Sequence, residues 1–141
     1  MRETEIRVKP SLSAYIITRD EERNIARAIE SVKWMDEVIV LDSGSADRTV
    51  EIAESLNARV YIEPFRGFVD QKNRAMELCR GDWVFNLDAD EEVSPELRAS
   101  MLGRLDSIRG SRDVIFLVSR RTWYMGRWIR HCGWYPEYRA R

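Results

Sequence analysis

Val38-Ile39-Val40-Leu41 is an apolar, mostly β-branched run with no polar residue interrupting it. Strand side chains project alternately to opposite faces, so a strand apolar at every position must be covered on both sides. That points to a parallel sheet sandwiched between helices rather than an antiparallel sheet with one wet face. The flanking segments supply such helices. Leu12 to Ile17 reads as an earlier strand; Thr18-Arg19-Asp20-Glu21 then matches capping-box spacing, and Ile25, Ala28, Ile29 and Val32 recur at helical intervals. Asp42-Ser43-Gly44-Ser45 breaks the apolar run, and Val50, Ala53 and Leu56 mark a second helix. Ala58 to Ile62 is a third strand closed by Pro64, and a helix through Val69, Lys72, Ala75, Met76 and Cys79 leads to the turn Arg80-Gly81-Asp82.

A fourth strand starts at Trp83, Ser94-Pro95 opens another helix as N-cap and first helical residue, and Val114 to Val118 is the fifth strand. Strands alternating with helices at roughly 20–25 residue spacing give an α/β fold with a mainly parallel sheet. Right-handed crossovers put the C-terminal ends of those strands on one edge. Three polar or acidic clusters converge there: Thr18 to Glu21, Asp42 to Ser45, and Asp88 to Asp90.

The last of these is the chemically sharpest. Asp88, Asp90, Glu91 and Glu92 crowd four carboxylates into five positions after an apolar strand. On an extended backbone Asp88 and Asp90 would face the same way. Like charges about 4 Å apart repel by ~4 kcal/mol at an effective dielectric of ~20, so such a pair wants open solvent or a cation. An isolated D-x-D is more often a solvated acidic turn, and Glu91 and Glu92 suit the first turn of a helix. No G-x-G-x-x-G or G-x-x-x-x-G-K-[ST] is present, so a phosphate ligand would need a divalent cation, Mg²⁺ or Mn²⁺, in place of a glycine-rich cradle.

Composition narrows the partners. At 141 residues and 44% hydrophobic, the chain can bury the core of one domain. A net charge of −1 argues against a general nucleic-acid binder, but the charge is unevenly spread. Residues 119–141 hold six arginines and one acid, for +5, which leaves −6 for residues 1–118. Cys79, Cys132 and the single His131 make no metal-ligand spacing, and two cysteines without a framework suit a reducing compartment. Met1 to Glu5 lacks the apolar stretch of a signal peptide, and no run approaches the ~20 residues of a membrane helix. The expected location is cytoplasmic, with at most peripheral membrane contact.

Three ordered segments resemble family 2 glycosyltransferases of the GT-A fold: Ser13 to Glu22, Val38 to Thr49, and Asn86 to Glu91. The tail Trp128 to Pro136 is similar, more narrowly, to the bacterial lipopolysaccharide-core glucosyltransferase branch. The resemblance spans residues 11–141. It implies a single GT-A-type domain over 1–141, with a nucleotide-sugar-binding core at 11–118 and the basic, aromatic start of the acceptor region at 119–141. By position it implies that Thr18 and Glu21 line the nucleotide pocket and Asp42 faces the base or ribose. Lys72 would lie near the nucleotide, Asp88 would contact the ribose or a metal-bound water, and Asp90 would bind the cation. The implied donor is a nucleotide-diphosphate sugar, UDP-glucose in the narrower branch, and the acceptor a glycan or glycolipid. Arg127 and Arg130 are candidates to meet acceptor phosphates, while the tail's aromatics either contact sugars or pack under further structure.

Complete relatives continue beyond the position of Arg141, through the half that supplies the carboxylate general base. The expectation is a donor-binding part lacking the C-terminal half, with the catalytic base outside it. The competing expectation is a nucleotide-sugar-binding fragment without turnover. A D-x-D phosphotransferase is disfavoured, because that motif usually follows the first strand and here follows the fourth.

Overall fold

A computed structural model describes residues 9–108, 114–131 and 135–141, with Asp106 described by its backbone alone. The N-terminal segment Met1 to Glu5 and residues Cys132, Gly133 and Trp134 of the tail lie outside the described residues. The chain divides into two compact units, Met1–Arg109 and Gly110–Arg141.

The first unit contains four strands: β1 (Leu12–Thr18), β2 (Glu37–Asp42), β3 (Arg59–Ile62) and β4 (Trp83–Asn86). Its helices are α1 (Ile25–Val32), α2 (Thr49–Ser55), α3 (Phe68–Glu77) and α4 (Pro95–Ser107). The sheet order is β3-β2-β1-β4, and every pairing is parallel. The two-sided burial expected of the Val38–Leu41 segment is present: Ile39, Val40 and Leu41 are all fully buried. Tyr15, Ile39 and Leu41 pack with Ala75 of α3 on one face. In α1, Ile25, Ala28, Ile29 and Val32 are all inaccessible to solvent, as their spacing predicts. Ile25, Ile29 and Val32 each contribute about 1.5–3 kcal/mol of burial free energy.

One sequence expectation about element ends fails here. Thr18 does not cap a helix; it is the last residue of β1, and α1 begins seven residues later at Ile25. The backbone C=O of Glu21 accepts from Asn24 and Ile25 N–H instead (2.9 Å each), so the entry into α1 is built by a turn. At α4 the expectation holds: Ser94 Oγ accepts from Leu97 N–H at 3.1 Å, with Pro95 at the first helical position.

The second unit is antiparallel. β5 (Leu117–Arg120) pairs with β8 (Glu137–Ala140), and β6 (Trp123–Tyr124) with β7 (Arg127–Trp128). The fifth strand expected at Val114 to Val118 is therefore displaced to Leu117–Arg120 and forms no part of the parallel sheet. Its apolar content misled the assignment, since Ile115 and Leu117 are 74% and 67% exposed and pack into no core.

Candidate functional site

The chain runs β1, β2, β3 toward one sheet edge, then returns through α3 to place β4 on the other side of β1. The strand order reverses between β1 and β4, and ligands of open α/β sheets settle in the crevice at the C-terminal ends of strands at such a reversal. Thr18 ends β1 and Asn86 ends β4. Both carry a buried polar atom without a hydrogen-bond partner, Thr18 Oγ1 and Asn86 Oδ1. Buried polar groups are nearly always paired, so each unpaired atom marks a place where a ligand or water would fit; Asn86 lies level with Tyr15 and so faces the opposite side of the sheet from Thr18. Thr18 was foreseen from the sequence and Asn86 was not. A polar residue ending an apolar strand beside the D-x-D was the available signal.

Beyond Asn86 the backbone leaves the ladder. Glu91 N–H donates to the Asp88 carbonyl at 2.9 Å, closing a tight turn over Asp88–Glu91. The expectation that Asp88 and Asp90 share a face through strand alternation therefore fails, because alternation applies only to extended chain. The crowded carboxylates are resolved one by one. Asp88 Oδ1 accepts from Lys72 Nζ of α3 at 3.0 Å. Glu91 Oε2 accepts from Asp88 N–H at 3.3 Å, and Glu92 lies 3.6 Å from Arg27. Asp90 is exposed and makes no hydrogen bond or ion pair among the described residues. The structure thus brings Lys72 to Asp88 across sixteen residues and leaves Asp90 as the open carboxylate.

The other foreseen acids are spent on architecture. Asp42 is fully buried; its Oδ1 accepts from Gly44 and Ser45 N–H at 2.8 Å each, and its Oδ2 from the Ser45 hydroxyl. Gly44 has φ +87°, which favours glycine at this bend. The β2–α2 loop so shaped is laced to the β1–α1 loop. Asp20 N–H donates to Ser45 Oγ (2.8 Å), Ala46 N–H to Asp20 Oδ1 (2.7 Å), and Glu22 N–H to Asp47 Oδ2 (3.0 Å). Glu21 N–H donates to Thr49 Oγ1 (2.8 Å), while Glu21 Oε2 accepts from Asn24 Nδ2 (2.8 Å). The hydrogen bonds from Thr49, opposed in part by desolvation, hold the Asp47 carboxyl below its ordinary range. Glu21 and Asp42 therefore fix the loops that wall the β1–β2 side of the edge. Gln71 of α3, itself buried, reaches the same wall by donating to Ser43 Oγ at 3.1 Å.

Could this edge hold Mg²⁺ or Mn²⁺? Among the described residues no three His, Cys, Asp or Glu side chains cluster as a ready-made cage. These cations commonly take only one or two carboxylates, with substrate phosphates and waters completing the shell. An open Asp90 beside a lysine-paired Asp88 fits that chemistry. Arg127 on β7 and Arg130 just after it are exposed within the second unit.

The comparisons with known proteins agree with this geometry. The model for "Glycosyl transferase family 2" matches residues 13–140. An uncharacterized glycosyltransferase of Rickettsia typhi is 54% identical over 116 residues, covering 82% of this chain and 40% of that protein. A lipopolysaccharide core biosynthesis glycosyltransferase, LpsC, of Rhizobium meliloti is 38% identical over 126 residues, covering 84% and 45% respectively. Among solved structures, the glucosyl-3-phosphoglycerate synthase of Mycobacterium tuberculosis, in complex with Mn²⁺, UDP and glucosyl-3-phosphoglycerate, superposes with a TM-score of 0.52 at 29% identity, over 59% of this chain and 36% of that one. The chain spans 40% and 45% of the length of these two curated relatives. With a parallel sheet of the GT-A type and a family match over nearly its whole length, the chain belongs to glycosyl transferase family 2.

Proposed function

We propose that this chain is the donor-binding part of an inverting, metal-dependent glycosyltransferase. It would move a hexose, glucose by the narrower resemblance, from a nucleotide-diphosphate sugar to a sugar hydroxyl of a cell-envelope glycan such as lipopolysaccharide core. The observation that carries this reading is the arrangement at the β1–β4 reversal, where Asp88 is paired with Lys72 at 3.0 Å and Asp90 stays open. A bound Mg²⁺ or Mn²⁺ supplies a Lewis acid that stabilises charge on the diphosphate leaving group. Asp90 would hold the cation with help from Asp88. Lys72, which pairs with Asp88 here, would offer its ammonium to a donor phosphate.

Thr18, level with Asp42 at the end of β1, would offer the nucleotide a hydroxyl that has no internal partner. Asp42 and Glu21 shape its pocket through the loops they anchor. The synthase of M. tuberculosis, with its Mn²⁺ and UDP, supports a UDP-sugar donor and a divalent cation by likeness. Arg127 and Arg130 are assigned to an anionic glycan or glycolipid acceptor, and the location to the cytoplasm or the inner face of the cytoplasmic membrane. The general base is assigned to residues beyond Arg141. Because the chain spans less than half of its relatives, nucleotide-sugar binding without turnover is the second reading. Donor hydrolysis or transfer separates the two.

Calorimetric titration of UDP and UDP-glucose, in Mn²⁺ and then in EDTA, tests the proposal. Metal-dependent binding that Asp90→Ala abolishes is the expected result. Equal binding by wild type and Asp90→Ala in the same Mn²⁺ buffer would falsify the metal assignment.

A further inference from the structure

We infer that the β6–β7 hairpin is the element through which this chain docks on an anionic phospholipid bilayer. The inference deepens the peripheral membrane contact proposed above by naming the contact element and the lipid chemistry. The hairpin turns on Met125 and Gly126, both with positive φ (47° and 80°), the signature of a two-residue primed turn. A methionine is an uncommon choice for that backbone region, and this one sits at the tip with 84% of its surface exposed. Trp123 and Tyr124 before it are 55% and 53% exposed. Trp123 and Trp128 lock the two strands edge to face, with ring centres 5.0 Å apart, so the tip is a stiff apolar and aromatic wedge.

Residues 119–141, which carry the wedge, hold six arginines and a single acid. The sole acid of residues 119–141, Glu137, is consumed by Arg120 and Arg139. Arg121 lies 4.3 Å over the Trp128 ring, and Arg121, Arg127 and Arg130 are exposed without a carboxylate partner among the described residues. Exposed aromatic rings beside unpaired arginines suit the headgroup region of an anionic bilayer, where rings and cations are both stabilised. Against a purely hydrophilic polyanion, or a soluble sugar phosphate, the apolar tip would contribute nothing.

The test is co-sedimentation of the 141-residue chain with phosphatidylcholine vesicles, with and without phosphatidylglycerol. Binding is expected only with the anionic lipid. Met125→Asp should weaken it about tenfold or more, since aspartate tolerates this turn but not burial at the interface. Arg121→Gln with Arg130→Gln should weaken it about fivefold per charge. Calorimetric UDP binding by the same samples reports separately on the donor site. Three results would each overturn the docking assignment alone: no preference for the anionic vesicles, full binding by a folded Met125→Asp chain, or displacement by a soluble sugar phosphate that is insensitive to Met125→Asp.

Discussion

Ser13 and Thr18 sit five residues apart on the same strand, both buried and both carrying a hydroxyl, yet the two ends of β1 treat them oppositely. At the start of the strand, Ser13 Oγ donates to Glu37 Oε1 at 2.7 Å and accepts from Gly81 N–H at 2.8 Å. Glu37 also accepts from Arg80 N–H at 2.8 Å and from the Arg59 guanidinium. Beside it, Ser11 and Asp82 exchange hydrogen bonds of 2.9–3.0 Å. That end is closed on itself. At the other end, Thr18 Oγ1 has no partner, nor has Asn86 Oδ1, and Asp90 stands open. A sheet edge with satisfied polar groups serves stability, and the end with buried unpaired ones is the end assigned above to the donor.

The largest effect should come from tightening the closed end. A Cβ on Gly81 would lie 2.7 Å from the Ser13 backbone N, so Gly81→Ala must push two strand ends apart. A loss of about 3 kcal/mol in urea unfolding is expected, at the upper end for an overpacked site. Ser13→Ala comes next, at about 2 kcal/mol, because it leaves Gly81 N–H unpaired and removes one of the hydrogen bonds to Glu37.

Glu37 adds a pH signature. Burial alone would raise its carboxyl, but hydrogen bonds from Ser13 and Arg80 and the charge of Arg59 hold it below its ordinary 4.5. A carboxyl lowered on folding stabilises above the unfolded value, and that contribution fades as pH falls through the folded one. The stability advantage of wild type over Glu37→Gln should therefore be full above about pH 4.5 and shrink below it, as urea midpoints across the acid range would reveal.

The open end should respond with smaller changes of the other kind. Thr18→Val removes an unpaired buried hydroxyl and should leave stability unchanged or raise it by about 0.5–1 kcal/mol, while weakening UDP binding. If Thr18→Val instead costs as much as Ser13→Ala, the contrast between the two ends collapses. Asp90→Asn should change the unfolding free energy by less than about 0.5 kcal/mol, as for any exposed residue without partners. Its consequence belongs in a metal-dependent nucleotide titration.

Much of the frame was readable because it rests on local chemistry. Ile25, Ala28, Ile29 and Val32 declare a helix face by spacing alone, Ser94-Pro95 declares a helix start, and the uninterrupted Val38–Leu41 run demands cover on both sides. The same reasoning misplaced β5, since an apolar run of strand-like residues says nothing about whether a core is available to receive it. It also carried strand alternation too far at Asp88 and Asp90, where the ladder had already ended.

Local pattern was enough for the order of elements in the first unit, the parallel sheet and the convergence of three polar clusters on one edge. Which polar groups are used up there depends on contacts between residues far apart in the chain. Lys72 meets Asp88 across sixteen residues, Ser43 meets Gln71 across 28, and Ser13 meets Gly81 across 68. Asp42, a ligand-facing candidate by position, is fully buried and accepts hydrogen bonds within its own loop. The physical reason is that a hydrogen bond needs its partner within about 3 Å. For groups far apart in sequence, the register of parallel strands and the packing of α3 set that distance, and neither can be read from one segment alone.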